Sequence, residues 1–261
     1  MNLLYTPYIG ITDFTSFTQV EDMLAVFRAF KKPSSAICRL HVGVMMSYKT
    51  MHDLPTKWGD AFPLKESIPD IFQSMEDDVM NTLHYADYDL NDVAGNITKA
   101  VGYCGPYIDA IQLDMPWPDP GQVAHGIHST RKPLEVILQI GERAIEEAHG
   151  DPKEIVGRIG DYEDVIHHVL LDKSMGRGVG MNAEALLPIA EAIFAEGLNL
   201  SLAAAGGLGP DSLDLVAPLL KEFPDLSIDA QSRLRPSKNA LDPIDWHMAK
   251  QYLQKALAMY T

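Results

Sequence analysis

The stretch "VLLDKSMGRGVGMN", residues 169–182, closes an apolar run on one carboxylate, Asp172, and then sets Gly176, Gly178 and Gly180 at every second position. A carboxylate at the end of a buried strand can give or take a proton once its surroundings bring its pKa near neutrality. The glycines let the next loop bend over a ligand or turn backbone N–H groups toward an anion. An acid in such a place also serves as a helix cap or a plain hydrogen-bond acceptor, so its neighbours decide. Two later segments supply candidates. "AAAGGLGPDS" (203–212) joins Gly206 and Gly207 to a helix start at Pro210-Asp211, which suits an anion and equally suits a tight turn with no ligand. "DAQSRLRPSK" (229–238) gathers Arg233, Arg235 and Lys238 beside Ser232. Taken with the glycine turn, these cations and the hydroxyl read as a phosphate subsite.

Other residues offer polar contacts. Gln112 and Asp114 share one face of "IDAIQLDM", and Thr12 with Asp13 follows the first apolar run. Residues 46–67 form a connection of roughly twenty residues, a length typical of lids and binding loops. Lys49, Lys57 and Trp58 within it could meet a substrate. His167 and His168 are adjacent in a strand and so face opposite ways. His125 and His128 lie three apart with no third ligand at a diagnostic spacing. No metal site and no cofactor are expected, for there is no Walker loop, dinucleotide fingerprint or GxSxG elbow.

These residues need a scaffold, and the pattern around them supplies one. Candidate strands fall at 3–11, 36–45, 83–88, 108–115, 134–140, 165–172, 198–205 and 226–231. Candidate helices fall between them at 16–30, 68–80, 90–102, 121–130, 142–163 (broken near Gly150), 182–196, 210–222 and 242–258. Eight strands, each followed by a helix, make a parallel α/β architecture. An open doubly wound sheet would bury both faces of its central strands in apolar residues. Here Ala110, Gln112 and Asp114 oppose Ile111, Leu113 and Met115, and Ser227, Asp229 and Gln231 oppose Leu226, Ile228 and Ala230. Asn199, Ser201 and Ala203 oppose Leu198, Leu200 and Leu202 in the same way. One small or polar face per strand fits the interior and mouth of a closed (β/α)8 TIM barrel. The absence of a long linker argues for one domain over 1–261.

The chain of 261 residues carries 36 Asp plus Glu against 21 Lys plus Arg, a net charge of −15. Such a surface repels nucleic acid and anionic membranes. Two cysteines, Cys38 and Cys104, do not make a disulfide framework; with no signal-peptide pattern at the N-terminus, a cytoplasmic location is expected. The partner expected is a small phosphorylated, sugar-type ligand, and composition leaves the oligomeric state open.

Several of these segments arrive in the order of a known family. The chain resembles phosphoribosylanthranilate isomerase, a barrel of tryptophan biosynthesis, through "YIGIT", "DAIQLD", "VLLDKSMGRGVG", "LAAAGGLGPDS" and the closing "LSIDAQSRLRPSKNALDPIDW". The resemblance implies an Amadori-type aldose–ketose isomerisation, with Asp172 as general acid and phosphate held at Gly206 and Gly207, with Gly178 and Gly180 in the acid's loop. It places Ser232 and Arg233 in the strand-eight phosphate turn and Lys49 near the position of an anion-binding arginine. The family's base falls at Ile9, which cannot take a proton, so Asp13 or Asp114 would have to replace it. Two functions follow: an isomerase of a phosphorylated sugar, or a sugar-phosphate-binding barrel that no longer catalyses.

Overall fold

Eight short strands lie side by side in sequence order, and the eighth pairs with the first. They are β1 (Tyr8–Thr12), β2 (Arg39–Ser47), β3 (Val79–Ala86), β4 (Ala110–Asp114), β5 (Glu135–Gly141), β6 (His168–Asp172), β7 (Ser201–Ala205) and β8 (Ser227–Ala230). The structure is a computed structural model and describes residues 5–31, 38–73, 76–172 and 181–260. Every pairing is parallel, so the barrel is closed and all eight strand ends open on one face. This is the (β/α)8 barrel that the alternating faces predict.

Ten helices are described between and after the strands. They are α1 (Phe17–Phe30), α2 (Tyr48–Met51), α3 (Ile68–Ile71), α4 (Val93–Gly102), α5 (Pro120–Thr130), α6 (Glu142–Glu147), α7 (Pro152–Gly160), α8 (Ala183–Glu196), α9 (Ala217–Glu222) and α10 (Trp246–Met259). Side-chain caps explain many of the starts: Asp92, Asp119, Asp151, Asn182 and Asp245 each accept a hydrogen bond from a backbone N–H in the first turn. Such caps satisfy donors that have no partner inside the helix. None of the described helices is long and apolar enough to cross a membrane.

Three sequence expectations need correction. The helix expected over 68–80 stops at Ile71, and the chain enters β3 at Val79, four residues before the predicted strand start. Asn81, Thr82 and His84 disguise that strand because they are polar yet enclosed; the Asn81 side-chain amide donates to the Tyr107 carbonyl and its backbone N–H to Asp109 in the neighbouring connection. The helix starts read at Pro210-Asp211 and Asp242-Pro243 come late, at Ala217 behind a 3-10 turn (Leu213–Val216) and at Trp246 behind Asp245. The region 142–163 is two helices, α6 and α7, separated near Gly150 as expected.

The buried residues divide into two layers. Outward-facing strand residues such as Ile9, Ile11, Leu113 and Leu171 pack under the helices in one large core. Inside the barrel, Tyr8, Met80, Ala110, Ile137, Leu170, Ala203 and Ala205 make a second cluster. Below it an ion-pair network plugs the far end, with Arg39 2.8 Å and His168 2.6 Å from Glu135. Burial alone would raise the Glu135 carboxyl, but hydrogen bonds from His168 and Arg39 pull it down to about 2. The two histidines of β6 are therefore packed and hydrogen-bonded: His167 accepts from the Val136 N–H, and His168 serves the plug. The floor is closed, so chemistry belongs at the other end.

Candidate active site at the barrel mouth

A cavity of about 760 Å³ sits at the C-terminal ends of the strands. Its floor is built by the inward residues that strand alternation selects. Asp114, Asp172 and Asp229, from β4, β6 and β8, all line it. Gln112 Nε2 donates to Gln139 Oε1 at 2.8 Å, and Gln139 Nε2 reaches Asp172 Oδ2 at 3.5 Å. That amide chain runs from β4 through β5 to Asp172 on β6.

The carboxylates differ in their surroundings. Burial raises Asp229 to about 7, against hydrogen bonds from Thr12 and the Ala230 backbone and with added repulsion from Asp172 and Asp13. The Thr12 hydroxyl lies 2.9 and 3.1 Å from the two Asp229 oxygens. Burial likewise raises Asp114 to about 6, opposed by the Tyr88 hydroxyl at 2.6 Å and reinforced by the charge of Asp172. Two acids that titrate near neutrality in one cavity are suited to proton transfer. His84 also lines the cavity; burial drops it to about 3, so it stays neutral, with its Nε2 2.9 Å from His41 Nε2.

Close approach of backbone to side chain makes room for this floor. A Cβ on Gly10 would lie 2.4 Å from Asp229 Oδ1, and one on Gly43 would lie 2.7 Å from Thr12 Oγ1. Glycine at Gly10 thus lets Asp229 lean across β1 toward Thr12. The same alternation corrects the register suggested for the family's base. Ile9 is fully buried in the outer core, and the inward residues of β1 are Tyr8, Gly10 and Thr12. Its inability to take a proton therefore says nothing about the cavity.

The residues that the sequence reading grouped as a phosphate subsite come together only in part. Gly206 and Gly207 line the cavity with φ of 101° and 68°, a left-handed backbone that glycine adopts without strain. Ser232 completes that corner, and the Ser212 hydroxyl donates to the Gly207 carbonyl to brace the turn. Arg233 lies off the lining, its backbone and Cβ packed where a Cβ on Gly209 would stand. Arg235 is buried and holds Asp13 at 2.5 Å along with the Gln231 carbonyl and the Asp242 carbonyl. Asp13, also bound by Gln231, therefore faces this ion pair and lies off the cavity lining. Gly178 and Gly180 lie outside the described residues.

The long connection after β2 does reach the mouth. Lys49, Lys57 and Trp58 line it, with Trp58 stacked on Phe62 at 5.2 Å and Lys57 over the Trp58 ring. Sequence reasoning placed Asp229 on the polar face of β8 but not in the site; the alternation of "LSIDAQS" was the available signal. For Tyr88 and His84 there was none, because each gains its role from a partner on another strand.

The class defined by this arrangement is the closed β/α barrel with its cavity at the carboxyl ends of the strands. Among solved structures the fold is shared with phosphoribosyl anthranilate isomerase from Thermus thermophilus, at 13% identity and a TM-score of 0.61, covering 97% of this chain and 99% of that one. TrpF from Jonesia denitrificans matches at 17% identity and a TM-score of 0.60, over 97% of this chain and 98% of that chain. A third such isomerase, in complex with reduced 1-(o-carboxyphenylamino)-1-deoxyribulose 5-phosphate, matches at 16% identity and 0.57 over 97% and 100%. No family model matches the chain, and no curated protein matches it. At these identities the likeness establishes the fold.

Proposed function

We propose that this barrel isomerises a phosphorylated sugar by a proton shift between C1 and C2. The observation that carries the reading is the pair Asp172 and Asp229 beside the Gly206–Gly207 turn in one cavity. A substrate phosphate would take the backbone N–H groups of that turn and the Ser232 hydroxyl, which is where barrels of this type commonly hold phosphate. Its ring would then lie over β6 and β8. Asp172, as the acid that the resemblance implies, protonates the ring oxygen, and the C1–O bond opens to a C1 iminium or carbonyl. Asp229, as base, removes the C2 proton, and the electron pair forms the enol. Proton return to C1 leaves the ketone at C2, with no external oxidant or reductant. Asp13 is committed to Arg235, which leaves Asp114 of the two carboxylates the sequence offered for the base; Asp229, which the sequence did not offer, is favoured over it because its strand leads into the corner formed by Gly206, Gly207 and Ser232.

Support also comes from the bound sugar phosphate of one structural neighbour, which is a property of that protein. The test is proton exchange. Incubated in D2O with phosphoribosylanthranilate or with pentulose 5-phosphates, the protein should place deuterium on the migrating position of one of them. Asp172→Asn and Asp229→Asn should each slow that exchange by about 10²-fold or more. Binding of sugar phosphates with no exchange would favour the second reading, a non-catalytic sugar-phosphate-binding barrel.

A further inference from the structure

A phosphate at the Gly206–Gly207 turn would fix one end of a ligand and leave its other end to the opposite wall. In the closed ring β3 lies four strands from β7 in either direction, so His84 stands across the mouth from that turn. It is only 3% exposed and lines the cavity. Behind it lies His41 of β2, fully buried, and the two rings meet Nε2 to Nε2 at 2.9 Å. Gly43 makes room for that meeting, since a Cβ there would lie 2.9 Å from His84 Nε2. Tyr8 packs edge-on against the His41 ring with centroids 4.6 Å apart. Burial keeps both imidazoles neutral: His84 drops to about 3, and His41 falls well below its usual value. In a bond between two neutral rings one Nε2 donates and the other accepts, so the tautomer of His41 sets that of His84.

With Nε2 turned to His41, Nδ1 is the ring nitrogen left to the cavity, and among the described residues no hydrogen bond engages it. An enclosed polar atom beside a cavity takes its partner from whatever fills that cavity. A carboxylate or phosphate oxygen only accepts and an ammonium only donates, whereas a hydroxyl does both. It therefore pairs with Nδ1 in whichever tautomer His41 imposes. We infer that His84 determines specificity by hydrogen-bonding, through Nδ1, a sugar hydroxyl at the end of the ligand away from its phosphate, with His41 as the positioning residue behind it. This rests on the sugar-phosphate reading of the mouth. Because the ring is neutral, it reads the presence of a hydroxyl and adds no charge to the floor.

The experiment is calorimetric titration with three probes: ribose 5-phosphate, 1,2-dideoxyribose 5-phosphate, which lacks the two hydroxyls remote from the phosphate, and inorganic phosphate. Wild type should bind ribose 5-phosphate at least about fivefold tighter than the dideoxy sugar. His84→Leu should erase that preference, and His84→Asn, which keeps an amide nitrogen near the place of Nδ1, should retain part of it. Spectra of protein labelled with 15N in its histidine rings give a readout that needs no variant at His84. Its Nδ1 resonance should move with ribose 5-phosphate and stay in place with inorganic phosphate. His41→Leu should turn the single tautomer of His84 into a mixture; an unaltered His84 ring would remove the role given to His41. A preference that survives in His84→Leu, or a His84 Nδ1 resonance that ignores ribose 5-phosphate, would overturn the inference. Equal binding of the two sugars would overturn it as well and leave the phosphate reading standing. Binding of none of the three probes would overturn both.

Discussion

At the scale of single residues, Asp229 combines burial with a position on the cavity, and the two have opposite consequences for stability and chemistry. Its carboxyl is raised from 3.8 to about 7 by burial. A raised carboxyl is fully compatible with the fold below pH 3.8, where both folded and unfolded chains hold the proton. Between that pH and about 7 the unfolded chain ionises while the folded one does not, and stability falls by about 4 kcal/mol. Asp229→Asn removes this loss, so the variant should be more stable than wild type at pH 8 and indistinguishable near pH 4. Urea denaturation at the two pH values checks it, alongside the slowed exchange expected of the same variant. Asp13 is as buried as Asp229, and burial raises its carboxyl too, but there the Arg235 guanidinium opposes the shift, and that ion pair ties the end of β1 to the segment after β8. Sequence showed both acids; only partners 217 to 222 residues away tell them apart.

At the scale of elements, β1 governs the site through what it lacks. Gly10 leaves the space into which Asp229 leans, and Thr12 supplies the hydroxyl that receives it. Gly10→Ala would force Asp229 away from Thr12, since its Cβ would fall within 3.0 Å of three Asp229 side-chain atoms. The variant should lose about 1–3 kcal/mol of stability and most of the exchange activity, while binding inorganic phosphate as wild type does. Unfolding curves and phosphate titration separate the two effects. An unchanged exchange rate would show that the position of Asp229 does not matter. The connection after β2 is the other element of consequence. Its length announced a role at the mouth, and Trp58 and Phe62 do form a wall there, but which of its side chains faced inward was set by the short helix α2 and the turns that follow.

At the scale of the whole molecule, a net charge of −15 surrounds a cavity read as a phosphate site. Long-range repulsion slows the arrival of an anion and is screened by salt. Raising ionic strength from ~0.02 to ~0.2 M should therefore tighten or speed the binding of inorganic phosphate, the reverse of a site inside a basic protein. Stopped-flow or calorimetric titration across that range checks the sign. A fall in affinity would mean that the local field of Lys49, Lys57 and the glycine turn outweighs the global one.

The sequence by itself determined the architecture, because strands and helices alternate along the chain and three strands carry one small or polar face, which in a parallel sheet fits a closed barrel and not an open one. It also pointed Asp172, Asp114, Gln112 and the Gly206–Gly207 turn toward the cavity that they line, since each stands in or just after a strand whose period of two fixes its direction. Tertiary structure decided the rest. It moved Asp13 and Arg235 out of the candidate site into an ion pair and turned Ile9 toward the helices. It also brought Asp229, His84 and Tyr88 to the cavity. Those assignments depend on burial and on pairing between strands remote in sequence, and desolvation is a property of the enclosed site that no short stretch of chain possesses alone.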